Sequence, residues 1–258
     1  FSCALGLHSN ASDNFYLQDS NSKTCYIVDL KTLLNSRRFV PDEQFRYSSE
    51  VLPTSDLCLL DDNRYIGYHM WYLDDKQFSK VDSPIGYYQK GEDSGKGMDD
   101  FPFFVASVNG ARLFKNPQTQ ELWTADMHRD AIRIYNDSLK QIRELVGPDH
   151  FSPEYTRRQI DAPVAFVTFA DECDYHAYTD YYITDKHIYL VYEGNKHFDM
   201  KNLSPVEIFK LDFDGNLLCN YKPDRYVYSI SINKKEDTLY CASRSSVMEP
   251  PVILKYKL

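Results

Sequence analysis

The sequence predicts an all-β fold, a β-propeller of four-stranded antiparallel blades, forming one domain over 1–258. Three observations carry this. The 258 residues hold 21 Tyr and 15 Phe beside 10 Gly, and large flat side chains pack well on a pleated surface. Alternating apolar segments recur in pairs joined by short turns of Asn, Asp, Lys and Pro, which is the pattern of hairpins. Each pair leads to a further strand with a similar ending, at 26–30, 132–136, 208–212 and 253–257. Repeats of about 40–50 residues built from four strands mark propeller blades. Such a blade buries its faces only against its neighbours.

The elements follow in order. Residues 15–19 and 24–30 flank a turn at 20–23, and residues 57–60 and 64–69 flank Asp61-Asp-Asn63. A third hairpin joins 111–114 to 121–125 through Asn116 and Pro117. The fourth joins 181–184 to 187–192, and the fifth joins 227–232 to 238–242. Residues 137–145 could wind into two helical turns with Leu139, Ile142 and Leu145 aligned. A turn plus a strand is preferred there, because 212–221 has the same order. Residues 90–100, charged and holding three glycines, read as a mobile loop. Residues 148–163 read as a connector. A sixth blade would come from the N-terminal stretch together with 138–180; a five-bladed or incomplete ring is the alternative.

Composition removes several function classes. Lys and Arg number 29 against 38 Asp and Glu, a net charge of −9, so the basic footprint of a nucleic-acid binder is missing. No apolar run approaches the roughly 18 residues of a transmembrane helix. None of the six cysteines forms a C-x-x-C pair, which argues against a zinc ribbon or a thioredoxin-type site. Cys58, Cys219 and Cys241 lie in apolar runs and read as small buried hydrophobes. A Cys219–Cys241 bridge between neighbouring strands is the alternative. Phe1-Ser2-Cys3 is compatible with the end of a bacterial lipoprotein signal. On that reading the chain sits outside the cytoplasm, in the periplasm or on the cell surface, with a lipid anchor.

Candidate chemistry concentrates in two clusters. In Asp171-Glu-Cys-Asp-Tyr-His176 and the residues after it, period-2 alternation puts Glu172, Asp174, His176, Tyr178 and Asp180 on one face. Two carboxylates and an imidazole there could hold a divalent cation or act as acid and base; a solvated loop between blades is the plainer reading. Asp126, His128 and Asp130 also share a face if extended, although hairpin tips are commonly just polar turns. Trp71, within Tyr68-His-Met-Trp-Tyr72, could offer an aromatic platform for a sugar or peptide, or could simply pack between blades. Asp212-Phe-Asp-Gly-Asn216 imitates a calcium loop, but the twelfth position is Pro223 and not Glu, so it reads as a tight turn. Gly-x-Ser-x-Gly, phosphate-loop and His-Glu-x-x-His motifs are all missing.

A resemblance adds to this reading. Ala177-Tyr-Thr-Asp-Tyr-Tyr-Ile-Thr-Asp-Lys-His-Ile-Tyr-Leu-Val-Tyr-Glu-Gly194 is followed by Glu207-Ile-Phe-Lys-Leu-Asp-Phe-Asp-Gly-Asn-Leu-Leu218. Val227-Tyr-Ser-Ile-Ser-Ile-Asn233, Thr238-Leu-Tyr-Cys-Ala-Ser243 and Val252-Ile-Leu-Lys-Tyr-Lys-Leu258 come next. Together they resemble the TolB-like six-bladed propeller proteins of Bacteroides-type bacteria, and 111–148 resembles one blade of that family. The resemblance covers about two-thirds of the chain, and its pattern is structural, not catalytic. It implies an extracytoplasmic protein, since members are often exported or lipid-anchored. The expected role is binding or scaffolding of a glycan, peptide or protein partner. The alternative is a hydrolase, lactonase or lyase with a metal or acid–base site at the channel. Neither a particular cofactor nor a particular metal follows from the sequence, and fold alone does not choose between these roles.

Overall fold

The computed structural model describes residues 4–9, 14–36, 39–52, 55–60, 63–70, 81–92, 107–161, 164–169, 176–195, 203–246 and 248–258. The chain divides into two compact units. One is Phe1–Phe114 with Gln159–Phe166, the other Lys115–Arg158 with Val167–Leu258.

The first unit holds two antiparallel sheets whose strands are neighbours in chain order. One contains β1 (Ala4–Ser9), β2 (Asn14–Asp19), β3 (Thr24–Asp29) and β4 (Glu43–Arg46). The other contains β5 (Cys58–Leu59), β6 (Arg64–Tyr68) and β7 (Ile85–Gln89). The next strand, β8 (Ala111–Lys115), begins at the end of this unit. Aromatic residues supply the core, as the composition suggests: Tyr16, Phe45, Tyr47, Tyr65 and Tyr88 cluster with Cys25, Val51 and Leu57. Tyr65 pairs with Tyr88 across β6 and β7, and their rings stack at 5.4 Å. Helix α1 (Leu30–Ser36) falls where the strand of 24–30 was expected to end. Asp29 stops the strand and caps the helix, its Oδ1 accepting the Thr32 N–H at 2.7 Å.

A histidine in this unit sets a pH limit. The His69 ring lies against Gly86, where an added Cβ would fall 2.3 Å from Nε2, so only glycine fits. Its Nδ1 hydrogen-bonds the Tyr88 hydroxyl at 2.5 Å. Burial pulls the imidazole down to about 4 from 6.5. The folded unit therefore binds fewer protons than the unfolded chain between these values, and stability must fall as pH drops from about 6.5 to 4. Urea titrations at pH 7 and pH 4.5 check this. A His69→Gln variant is expected to show a smaller difference between the two.

In the second unit β9 (Leu122–Asp126), β10 (Ala131–Tyr135) and β11 (Gln141–Val146) are successive antiparallel neighbours. β12 (Tyr155–Asp161) and β13 (Val164–Phe169) lie where the chain passes between the units, so the expected connector at 148–163 contains a strand. A four-stranded sheet follows: β14 (His176–Ile183), β15 (Ile188–Asn195), β16 (Glu207–Leu211) and β17 (Leu217–Tyr221). Last comes a three-stranded sheet of β18 (Val227–Ile232), β19 (Thr238–Ser243) and β20 (Val252–Lys257). Their shared core includes Tyr189, Val191, Ile208, Val227, Ile230, Leu239 and Cys241. The choice of turn plus strand over helix at 137–145 holds, since β11 occupies that place.

One turn design repeats. Asn116, Asn136, Asp212 and Asn233 each end a strand or follow one, and each Oδ1 accepts two backbone N–H groups two to five residues on. Gln120, Leu139, Gly215 and Glu236 then take left-handed backbone to re-enter the next strand. The Asp212 carboxylate thereby closes its own turn, as the tight-turn reading of 212–216 expects. Cys25, Cys58 and Cys241 are buried free thiols, and burial pushes Cys25 and Cys241 up to about 12. Cys219 is also free but only half-buried, so it makes no bridge to Cys241. Among the described residues no helix is long and apolar enough to cross a membrane.

Candidate functional site

Successive antiparallel strands place alternate connections at opposite ends of a sheet. In the second unit one end gathers the β9–β10 turn, the segment after β11, the start of β14, the end of β15 and the start of β18. Hydrogen bonds join these pieces. The Ala177 N–H donates to the Met127 carbonyl at 2.8 Å, and the Tyr226 hydroxyl donates to Glu193 Oε1 at 2.6 Å.

Asp126 closes β9 and is 1% exposed. Arg133 Nη1 lies 2.9 Å from its Oδ2 and Arg129 Nη1 lies 3.7 Å away. Arg133 Nε also reaches Glu144 at 3.2 Å. Burial pushes the Asp126 carboxyl up to about 7, against the pull of Arg133. Asp130, also 1% exposed, organises the loop after β11. Its Oδ2 accepts the N–H groups of Asp149 at 2.7 Å and His150 at 2.8 Å, and its Oδ1 accepts the Tyr178 hydroxyl at 3.2 Å. Gly147 passes so close that an added Cβ would fall 1.8 Å from Asp130 Oδ1. Burial, with Asp130 next, raises the Tyr178 phenol far above its usual range.

His176 opens β14. Its ring meets that of His128 edge-on at 5.5 Å, and its Nδ1 lies 3.7 Å from Glu193 Oε2. Both imidazoles are half-buried, whereas the Glu193 side chain is 1% exposed. The end of the unit thus presents two partly accessible imidazoles above a buried carboxylate that Tyr226 holds in place.

Among the described residues the expected sharing of faces fails in both clusters. Asp126, His128 and Asp130 do not form a ligand face, because the chain turns after Asp126 and each aspartate has its own structural partners. In β14 the register shifts between His176 and Tyr178 and again between Tyr178 and Asp180. Such bulges break period-2 alternation. Tyr178 consequently engages Asp130, Asp180 accepts the Ile230 N–H at 2.8 Å, and His176 faces Glu193. Glu172, Asp174 and Trp71 lie outside the described residues. Trp123 is fully buried, with Arg143 over its ring at 5.9 Å. Among the described residues no group of three His, Cys, Asp or Glu side chains is gathered as a metal ion requires. Glu193 and Tyr226 were not foreseen. The available signal is a glutamate that follows the apolar run of β15 and precedes Gly194, whose φ is +61°.

No curated protein matches the chain. Solved structures with a similar backbone include a member of the DUF4221 family from Bacteroides vulgatus. It is 9% identical, with a TM-score of 0.54, over 96% of this chain and 76% of that one. Streptogramin B lyase is 11% identical with a TM-score of 0.44, over 99% of this chain and 68% of its own. The extracellular domain of BT4673 from B. thetaiotaomicron is 9% identical with a TM-score of 0.42, over 93% of this chain and 26% of its own. At such identities the first bears on fold alone. A sequence profile described as "TolB-like 6-blade propeller-like" matches residues 14–235. With that match spanning most of the repeating hairpins, the chain belongs to the TolB-like 6-blade propeller-like family.

Proposed function

We propose that residues 1–258 form one six-bladed, extracytoplasmic propeller domain that works as a binding or scaffold module for a glycan, peptide or protein partner. Its ligand site is the end of the second unit where His128, His176, Glu193 and Tyr226 meet. The carrying observation is the fate of the carboxylates. Asp126 is enclosed with two arginines, and Asp130 is used up on backbone N–H groups and Tyr178. A general acid or base must reach the proton it moves, and neither aspartate can. The half-buried imidazoles remain, and they suit hydrogen-bonded recognition. The family's frequent export or lipid anchoring supports the location.

The test is a thermal-shift screen of the chain against oligosaccharides, peptides and divalent cations. A ligand that binds the folded state raises the melting temperature by mass action. The expected result is a rise with a sugar or peptide that is lost in His176→Ala, with the ligand recovered unchanged. Turnover of that ligand, or a rise with a cation alone that depends on His176, would replace this reading with the hydrolase, lactonase or lyase alternative.

A further inference from the structure

Tyr226 shares its strand end with an arginine. At this end the last pair of β18 and β19 is Val227 with Ser243. Tyr226 precedes the one and Arg244 follows the other, so both flank the same pair. Arg244 is half-buried, and its guanidinium carbon lies over the Tyr228 ring, 5.2 Å from the centroid. Its Nε is enclosed without a hydrogen-bond partner. Among the described residues no carboxylate forms an ion pair with it.

The neighbouring carboxylates are engaged elsewhere. Glu249 accepts from Ser245 Oγ at 2.6 Å. Glu193 accepts the Tyr226 hydroxyl through Oε1 and has His176 Nδ1 3.7 Å from its Oε2. Arg244 is still close enough to act on this group: burial raises the Tyr226 phenol, with Glu193 next, while the charge of Arg244 pulls it down. The turn that carries it is tied in place. The Ser245 carbonyl accepts the Leu203 N–H at 3.3 Å and the Ser246 carbonyl accepts the Glu249 N–H at 3.2 Å.

Other partly buried arginines of the chain have carboxylate partners, Arg112 with Asp56 and Arg133 with Asp126 and Glu144. Arg244 departs from that pattern. A charge withdrawn from water is costly until it is paired. A guanidinium resting on an aromatic ring keeps its edge N–H groups for a planar acceptor with two oxygens, which is what a carboxylate offers. The chain carries a net charge of −9, so an acidic ligand is not drawn in from a distance and needs a local cation.

We propose that Arg244 receives the carboxylate of the ligand, and that the ligand is an acidic sugar, a uronic acid whose hydroxyls face His128 and His176. The inference rests on the imidazole end being the ligand site, and it narrows that site from any glycan to a carboxylated one. Imidazoles both donate and accept hydrogen bonds, and so do the hydroxyls that a sugar presents around its ring. A peptide would be gripped through its main chain along a strand edge or by apolar pockets. The groups gathered here are imidazole, phenol, guanidinium and carboxylate side chains at strand ends.

The experiment is isothermal titration of the full chain with galacturonate and glucuronate disaccharides, the methyl esters of both, and the dipeptide Glu-Gly. An ester keeps the shape of the sugar and removes its charge. At least one uronate should bind about tenfold or more tightly than its ester, the scale of a hydrogen-bonded charge pair. Arg244→Gln should bind acid and ester alike, Arg244→Lys should recover part of the preference, and His176→Ala should weaken both forms. Equal binding of acid and ester by the wild-type chain, which needs no variant to fold, would overturn the proposal. If His176→Ala still weakened both, the imidazole site would stand without it. Tighter binding of Glu-Gly than of either uronate, or no binding of any probe, would overturn it too. An acid preference lost in Arg244→Gln but untouched by His176→Ala would uphold the carboxylate contact and overturn the role given to the imidazoles.

Discussion

Replacing Glu236 with Gln is expected to lower the stability of the second unit by about 2–3 kcal/mol, the scale of losing hydrogen bonds to a charged group. Glu236 sits in the β18–β19 turn and reaches across to the neighbouring sheet. His187 Nδ1 lies 2.6 Å from its Oε2, Lys210 Nζ 3.3 Å, and the Tyr189 hydroxyl 3.3 Å, while Thr184 donates to Oε1. The Glu236 side chain is 8% exposed, so an amide leaves cationic and phenolic groups facing a weaker acceptor in a site that water reaches poorly. Its hydrogen bonds with Thr184 and His187 outweigh its burial and hold the carboxyl below its usual 4.5. A depressed carboxylate contributes stability above the unfolded value and loses it as pH falls through the folded one. The wild-type unit should therefore weaken below about pH 4.5, and Glu236→Gln should be flatter there. The His69 effect already begins below about pH 6.5, so the two overlap only near its lower end, between about 4 and 4.5. Urea unfolding followed by Trp123 fluorescence in a Trp71→Phe background reads the second unit. Coincident midpoints for wild type and Glu236→Gln at pH 7 would refute the latch.

Hairpins were legible because alternation, turn residues and strand length all point the same way in segments such as 227–242, where β18 and β19 fall as expected. Helix α1 gave no such signal. It buries no residue, so it has no apolar face to reveal its period, and its one local cue is Asp29 three residues before Thr32. The strand at 155–161 was hidden by flanking prolines that look like a linker. At the site, His128 and His176 stood out as members of the two dense polar clusters. Their meeting did not, because it depends on two register shifts in β14 and on the sheet's neighbour, which no spacing rule encodes. The same shifts undid the inference that His176, Tyr178 and Asp180 share a face. Glu193 stayed invisible because a buried carboxylate is distinguished by its partners, here Tyr226 and His176, which lie far away in sequence.

Gly147→Ala is expected to cost about 2–4 kcal/mol, within the range of substitutions that break a buried polar network. The new methyl group would fall 1.8 Å from Asp130 Oδ1 and 2.7 Å from the Tyr178 hydroxyl. Asp130 cannot yield without releasing the N–H groups of Asp149 and His150, and Tyr178, 1% exposed, cannot turn to water. Tyr192 extends the same network by donating to Asp149 at 2.7 Å. Removing the obstruction gives the decisive comparison. Asp130→Ala alone should be destabilising, since it strands the Tyr178 hydroxyl, yet Gly147→Ala added to it should cost far less than in wild type. Residues that share a contact couple by about 0.5–3 kcal/mol, and here the double variant should fall short of additivity by at least about 1 kcal/mol. Strict additivity would mean that the alanine acts through backbone preference and not through Asp130. The functional consequence follows from the same geometry. Asp130 ends the turn that carries His128, and Met127 in that turn accepts the Ala177 N–H beside His176. A displaced Asp130 should loosen both imidazoles, so Gly147→Ala should weaken any ligand that His176→Ala also weakens, even at temperatures where the variant remains folded.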